Sequence, residues 1–243
     1  MPRPHSDQWI LALETSTLQG SVALCKNGAV QLTRQLAKGT QHGREILPAV
    51  DQLLRQAHLS VSSLHAIALG IGPGSFTGLR VGLAAVEGLR FAQKIPVVGI
   101  PSFDAMAYHL WEQKQFSQGA LATLYYARRQ RMYLALYQFR QNSPPHCTQT
   151  TTLLPLSQLH KAIPSNSYAI GAGSTYLPSQ IKVVTLEEKF SVPRAQDIAQ
   201  LAWQKLKDKL SSNSKLDEFQ RPIQLIYLMK SEAEENLQKK SLL

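Results

Sequence analysis

Glu14 ends the apolar run Trp9 to Leu13 and is followed by the hydroxyls Thr15-Ser16-Thr17. A carboxylate at a strand end beside hydroxyls can hold Mg²⁺ bound to a phosphate. Farther on, residues 70 to 82 read Gly-Ile-Gly-Pro-Gly-Ser-Phe-Thr-Gly-Leu-Arg-Val-Gly. The run His65 to Leu69 before this loop has strand character, and the long apolar segment after it has helix character. Free backbone N–H groups and a helix dipole would therefore converge on an anion held there. A Walker loop requires Gly-x-x-x-x-Gly-Lys-Ser/Thr, but Thr77 and Leu79 stand five positions after Gly72 and Gly74. The dinucleotide fingerprint fails as well, because Gly78 follows Gly72 and Gly74 one position late. Ser75 then reads as an ordinary helix cap. The loop is expected to be structural or to serve an interface; Glu14, Gly72, Gly74 and Ser75 are the residues a nucleotide would meet.

A two-lobed nucleotide-binding fold would supply a second acid from the matching strand end of its other lobe. That place reads Tyr125-Tyr126-Ala127, without a carboxylate, which favours Glu14 as a structural hydrogen-bond acceptor. The seven histidines include no pair three or four apart, so no helix displays two metal ligands on one face. No G-x-S-x-G elbow is present, and His146-Cys147 lies in a proline-rich stretch. No catalytic residue, metal or cofactor is expected.

Twenty-six Lys and Arg against 16 Asp and Glu leave a net charge of +10 over 243 residues. Such an excess attracts polyanions such as RNA, or simply keeps the chain soluble. Its clearest local form is Arg128, Arg129 and Arg131 beside Tyr125, Tyr126 and Tyr133, the residues expected to meet RNA. No apolar stretch reaches the roughly 18 to 20 residues of a membrane span. Met1-Pro2-Arg3-Pro4-His5 carries no apolar signal core, and two distant cysteines do not make a disulfide scaffold. The expected compartment is the cytoplasm, with no membrane partner.

The elements that must position these residues follow from periodicity. Strands are expected over Trp9–Thr15, Ser21–Cys25 and Ala29–Arg34, the last two joined by the hairpin signal Asn27-Gly28. Ile46, Leu47, Val50, Leu53, Leu54 and Ala57 recur at helical spacing, marking an amphipathic helix over residues 43–57. The strand into Leu69, the glycine loop, a helix to about Lys94 and the strand Val97–Ile100 form a βαβ unit. A similar opening recurs: strands over Leu121–Ala127 and Met132–Phe139, a polar loop through Pro145, short strands at Tyr168–Ile170 and Ile181–Val184, and a helix from Ala195 to Leu210. The expected division is a lobe over residues 1–103, a second over 104–230 and a charged tail over 231–243.

On the helix after the glycine loop, Gly78, Gly82, Ala85 and Leu89 share one narrow face, which permits close backbone approach. Arg80, Glu87, Arg90 and Lys94 lie opposite, and Leu79, Leu83 and Val86 fall at the edge of that charged face. An apolar strip at a solvent-facing position reads as a partner surface, with burial inside the monomer as the alternative.

Several segments together resemble a known family: Ile10 to Thr17, His42 to Pro48, Gly72 to Gly82, Ala127-Arg128-Arg129 and Pro222 to Leu228, in that order. The chain resembles the TsaB family of tRNA threonylcarbamoyladenosine biosynthesis proteins, most closely through residue 104. The resemblance implies an α/β fold of two duplicated lobes of the actin-like ATPase (ribonuclease H-like) kind. It further implies a non-catalytic partner of the related transferase TsaD, with a separate ATPase, TsaE, completing the system and tRNA reached through the complex. Pairing through helices of the first lobe, or a homodimer through the same surface, would engage Leu47, Val50, Leu54, Leu79, Gly82, Leu83 and Val86. Family members usually carry Asp at the positions of Glu14 and Tyr126, and Arg at that of Met229. The alternative within the same fold is an ATP-binding small-molecule kinase or ATPase; a metallopeptidase lacks its histidine pair here.

Overall fold

The computed structural model describes residues 7–39, 42–114, 116–211 and 217–228. Strands β1 (Trp9–Glu14) and β4 (Ala66–Gly70) are buried along almost their whole length. Continuous apolar runs of this kind belong at the centre of a sheet covered on both faces. By contrast β3 (Ala29–Gln35) alternates between exposed and half-buried over its first residues, as an edge strand should. With β2 (Ser21–Lys26) and β5 (Val97–Ile100) these strands form a sheet in the order β3-β2-β1-β4-β5. β1 and β3 run antiparallel to β2, and β1, β4 and β5 are parallel. Asn27 (φ 50°) and Gly28 (φ 85°) turn the expected hairpin with two left-handed residues.

The second sheet repeats this plan. Strands β6 (Gly119–Ala127), β7 (Arg131–Arg140), β8 (Ser143–Pro155), β9 (Ser167–Ile170) and β10 (Val183–Thr185) lie in the order β10-β9-β6-β7-β8. Each pair has the same relative direction as its counterpart. The duplication expected from the recurring hairpin is therefore complete at the level of topology. One element departs from expectation: the polar loop through Pro145 is the start of β8. β8 is an edge strand, where a missing proline N–H costs no ladder bond, and Thr148 and Thr150 to Thr152 favour the pleat.

Helices α1 (His42–Gln56) and α2 (Phe76–Gln93) lie side by side on one face of the first sheet, over Leu11, Leu13, Ile67 and Leu69. Helix α3 (Ser102–Glu112), which periodicity did not single out, leaves the first sheet and packs against the second, on Leu121, Tyr137 and Phe139. The short α4 (Leu159–Ala162) covers the opposite face of that sheet. Helix α5 (Ala195–Ser211) then returns to the first sheet and packs on Ile10, Ala12, Ala23, Ala66 and Ala68. Period-2 alternation sends residues 10 and 12 toward α5 and residues 11 and 13 toward α1 and α2. The first sheet is thus closed by a helix that the chain supplies from its second half, and the second by the helix that links the two sheets. Among the described residues no helix is long and apolar enough to cross a membrane. Met229 and the tail over 231–243 lie outside the described residues.

Candidate functional site

Glu14 is completely buried at the end of β1. The Ser16 N–H donates to its Oε1 at 2.6 Å and the Ser102 hydroxyl donates to its Oε2 at 2.7 Å. Burial pushes the Glu14 pKa up, and the bonds from Ser16, Ser102 and Thr15 only partly offset this. Both oxygens face protein donors, as the structural reading of Glu14 expects. Ser102, the first residue of α3, was not visible as part of this group, since it lies 88 positions from Glu14.

Four glycines bring the loop and α2 down onto the turn after β1. A Cβ on Gly70 would clash with the Glu14 carboxylate, one on Gly74 with Ser16, and ones on Gly78 and Gly82 with Thr15. The Ser75 N–H donates to Ser16 O at 2.6 Å, and the Ser75 side chain caps α2 by accepting from the Gly78 N–H at 3.2 Å. Thr15 Oγ1 and Ser16 Oγ, the hydroxyls that would meet a phosphate, are buried under this glycine face, and Thr15 Oγ1 has no hydrogen-bond partner among the described residues. The opening that remains, between Thr17, Leu18, His42, Ser75, Thr77 and Val81, holds about 40 Å³. Ligand pockets run to roughly 300–1,000 Å³. The residues at this place do not fit a nucleotide phosphate: the small-residue face is used for contact between backbones.

The matching region of the second lobe is built alike. Gly171 (φ 103°) and Gly173 press on the end of β6 at Leu124 and Tyr125. Tyr126 stacks on Tyr176, with ring centroids 4.1 Å apart and planes 17° apart. Arg128, Arg129 and Arg131 stand exposed in the β6–β7 turn beside that stack. No cluster of three His, Cys, Asp or Glu able to hold a metal occurs among the described residues.

The apolar strip on α2 is placed differently from the expectation. Leu79 is 1% exposed and Val86 0%, so neither reaches solvent. On a lone helix this edge would face solvent; here Leu79 lies against Gly72 of the glycine loop, and Val86 joins the core under both helices. Val50 and Leu54 on α1 are likewise buried, as is Gly82. Leu83 is half-buried against the same core, whereas Leu47 remains 49% exposed. Around them stand further exposed apolar side chains that the helical pattern did not identify: Leu18, Phe76 and Phe91, the last 91% exposed.

A strap from the end of the chain crosses this region. The Ile226 N–H donates to Ile71 O at 2.9 Å, Tyr227 packs on Phe76 with centroids 5.1 Å apart, and the Arg80 guanidinium lies 3.7 Å over the Phe76 ring. These contacts place the late segment Pro222 to Leu228 beside the glycine loop, 150 residues away in sequence.

Known proteins share both sequence and fold with this chain. The family model described as TsaD, tRNA N6-adenosine threonylcarbamoyltransferase, matches residues 36–237. The tRNA threonylcarbamoyladenosine biosynthesis protein TsaB of Escherichia coli (strain K12) is 31% identical over 201 residues, 80% of this chain and 86% of that protein. TsaB of Haemophilus influenzae is 42% identical over 106 residues, 44% of each chain. Among solved structures, YeaZ from Pseudomonas aeruginosa superposes with a TM-score of 0.73 at 28% identity, covering 90% of this chain and all of that one.

Proposed function

Because the chain belongs to the TsaB family of tRNA threonylcarbamoyladenosine biosynthesis proteins, we propose that it serves that modification as a non-catalytic subunit which holds and activates a TsaD-like transferase. The observation that carries this reading is the closed seat at Glu14. Its carboxylate oxygens are taken by Ser16 and Ser102, and the glycine loop fills the space a phosphate needs. A kinase or ATPase of the same fold would need that seat open.

The association surface in this reading is the outer side of α1 and α2. Leu47 and Leu83 would touch the partner, joined by Leu18, Phe76 and Phe91, while Val50, Leu54, Leu79, Gly82 and Val86 support them from beneath. Exposed apolar groups rimmed by Arg80, Glu87 and Arg90 fit a protein surface of this kind. The same face would pair two copies when the protein is alone. A TsaE-like ATPase would join the assembly, and Arg128, Arg129 and Arg131 would meet tRNA within it. The proposed division keeps residues 1–103 as the partner-binding lobe, in a cytoplasmic complex.

Co-elution with the transferase subunit tests the proposal. Leu47→Glu and Leu83→Glu each place a carboxylate in the interface, at a cost on the order of 2–5 kcal/mol, and should weaken association at least tenfold. Each variant should retain the near-UV circular dichroism of the parent. Undiminished co-elution of both variants would move the interface elsewhere. Micromolar binding of Mg·ATP that Glu14→Ala abolishes would instead favour the enzyme.

A further inference from the structure

A hollow of about 500 Å³ opens away from the glycine loop, between the end of β3, the end of α3 and the segment leading into α5. That volume lies within the range of small-molecule sites. Arg34, Lys189 and Arg194 line it, together with four glutamines, and no carboxylate does. Val22, Phe190, Val192 and Pro193 give it an apolar side.

The charges around the hollow are unevenly compensated. Arg194 is fixed by Asp197, with Nε donating to Oδ2 and Nη2 to Oδ1, both at 2.7 Å. Asp197 is fully buried and stands behind the wall, outside the lining. These bonds use Nε and Nη2, and among the described residues no bond is seen at Nη1. Lys189 pairs with Glu187 at 2.9 Å, but the two side chains are 58% and 67% exposed, and such a pair yields easily to a better anion. Arg34 meets the neutral amide of Gln52. His109, whose ring lies 5.3 Å from that of Phe190, reports the local field. Burial first, then the positive charges of Arg194 and Lys189, bring its pKa down to about 4. The imidazole is therefore neutral and can accept from Arg194.

We infer that this hollow binds a small phosphate-bearing molecule, with Arg34 and Lys189 drawing the phosphate in and Arg194 holding it in a fixed orientation. An anion satisfies three cations whose own carboxylates are absent, surface-exposed or set behind the wall. The apolar side takes the organic body, which inorganic phosphate alone would leave unused. The inference does not depend on the assembly role proposed above, because no residue of α1 or α2 lines the hollow.

Isothermal titration of the full chain with ADP and with inorganic pyrophosphate, both without magnesium, tests it. One saturable site is expected for each, weakening as salt rises. The double variant Arg34→Gln/Lys189→Gln should lower both affinities at least tenfold with an unchanged thermal midpoint. Arg194→Lys should weaken binding while keeping the charge, because a lysine ammonium cannot hold both Asp197 oxygens as the guanidinium fork does and still present a donor in the same place. Lys161→Gln, on α4 and outside the lining of the hollow, should leave the binding of both probes unchanged. The assignment fails if neither probe saturates, if binding survives the double variant, or if Glu14→Gln rather than the double variant removes it. A short single-stranded RNA that binds more tightly than ADP and displaces it through Arg34 and Lys189 would also overturn it, since the hollow would then be part of an RNA track.

Discussion

Ser102 Oγ donates to Glu14 Oε2 at 2.7 Å and accepts the Gly72 N–H at 3.2 Å, while the Ser102 N–H donates to Gly72 O at 2.8 Å. One serine thus joins the end of β1, the glycine loop and the first turn of α3, the helix that crosses to the second sheet. The acid whose position invites a metal is a strut that ties the end of β1 to the start of α3. Its ionised form is disfavoured by burial, as the raised pKa states.

Substitutions at Glu14 should therefore separate charge from bonding. A raised carboxylic pKa contributes stability below about pH 4.5 that is lost as pH rises through the folded-state value. Glu14→Gln removes that cost and keeps an acceptor for Ser16, so urea unfolding at pH 7 should show stability equal to or above the parent. Glu14→Ala leaves two buried donors unpaired, about 1–3 kcal/mol each, and should lower stability by roughly 2–5 kcal/mol. Equal losses for the two variants would show that bonding to Glu14 contributes little.

Two glycines of one helix should respond in opposite directions. Gly78 has the Thr15 carbonyl against it, backbone that cannot move aside, so Gly78→Ala should cost more than about 2 kcal/mol. Gly88 is exposed with no atom within 4 Å of an added Cβ, and Gly88→Ala should gain about 0.5–1 kcal/mol from helix propensity. Thermal midpoints measured side by side decide it. A stable Gly78→Ala protein would mean that α2 does not rest on the β1 turn.

The buried His109 predicts a pH dependence. Its folded pKa, about 4, lies below the ordinary 6.5, so its stability contribution is whole above pH 6.5 and is lost as pH falls toward 4. Asp197, raised to about 6 chiefly by burial, acts in the opposite sense over the same window and is common to parent and variant. Between pH 7.5 and 4.5 the parent should lose about 2–3 kcal/mol more than His109→Gln, at about 1.4 kcal/mol per pH interval of one. Parallel pH profiles of unfolding would indicate that burial, with Arg194 and Lys189, does not hold the imidazole neutral.

Much of the fold is legible in residue order, because local geometry decides it. The βαβ unit from Ala66 to Ile100, the Asn27-Gly28 hairpin and the helix from Ala195 follow from period, turn chemistry and length. Spacing also excludes a phosphate loop at Gly72 to Gly78, and the helical wheel reveals the small-residue face that meets Thr15. β8 escaped because Pro144 and Pro145 look like a loop until their place at a sheet edge makes them harmless. α3 escaped because it is buried nearly all round, which leaves no alternation to detect.

The residues of the site divide in the same way. The sequence by itself determined two duplicated lobes, a family and a glycine loop without the spacing of a nucleotide binder. Only the tertiary structure decided which apolar residues face outward: Leu79 and Val86 are buried within the packed lobe, while Leu47 stays open. It alone brought Ser102 to Glu14 and gathered Arg34, His109 and Arg194 around one hollow. Periodicity records a residue's angle around its own helix, but exposure depends on which neighbour lies alongside, and that is fixed by contacts between residues far apart in the chain.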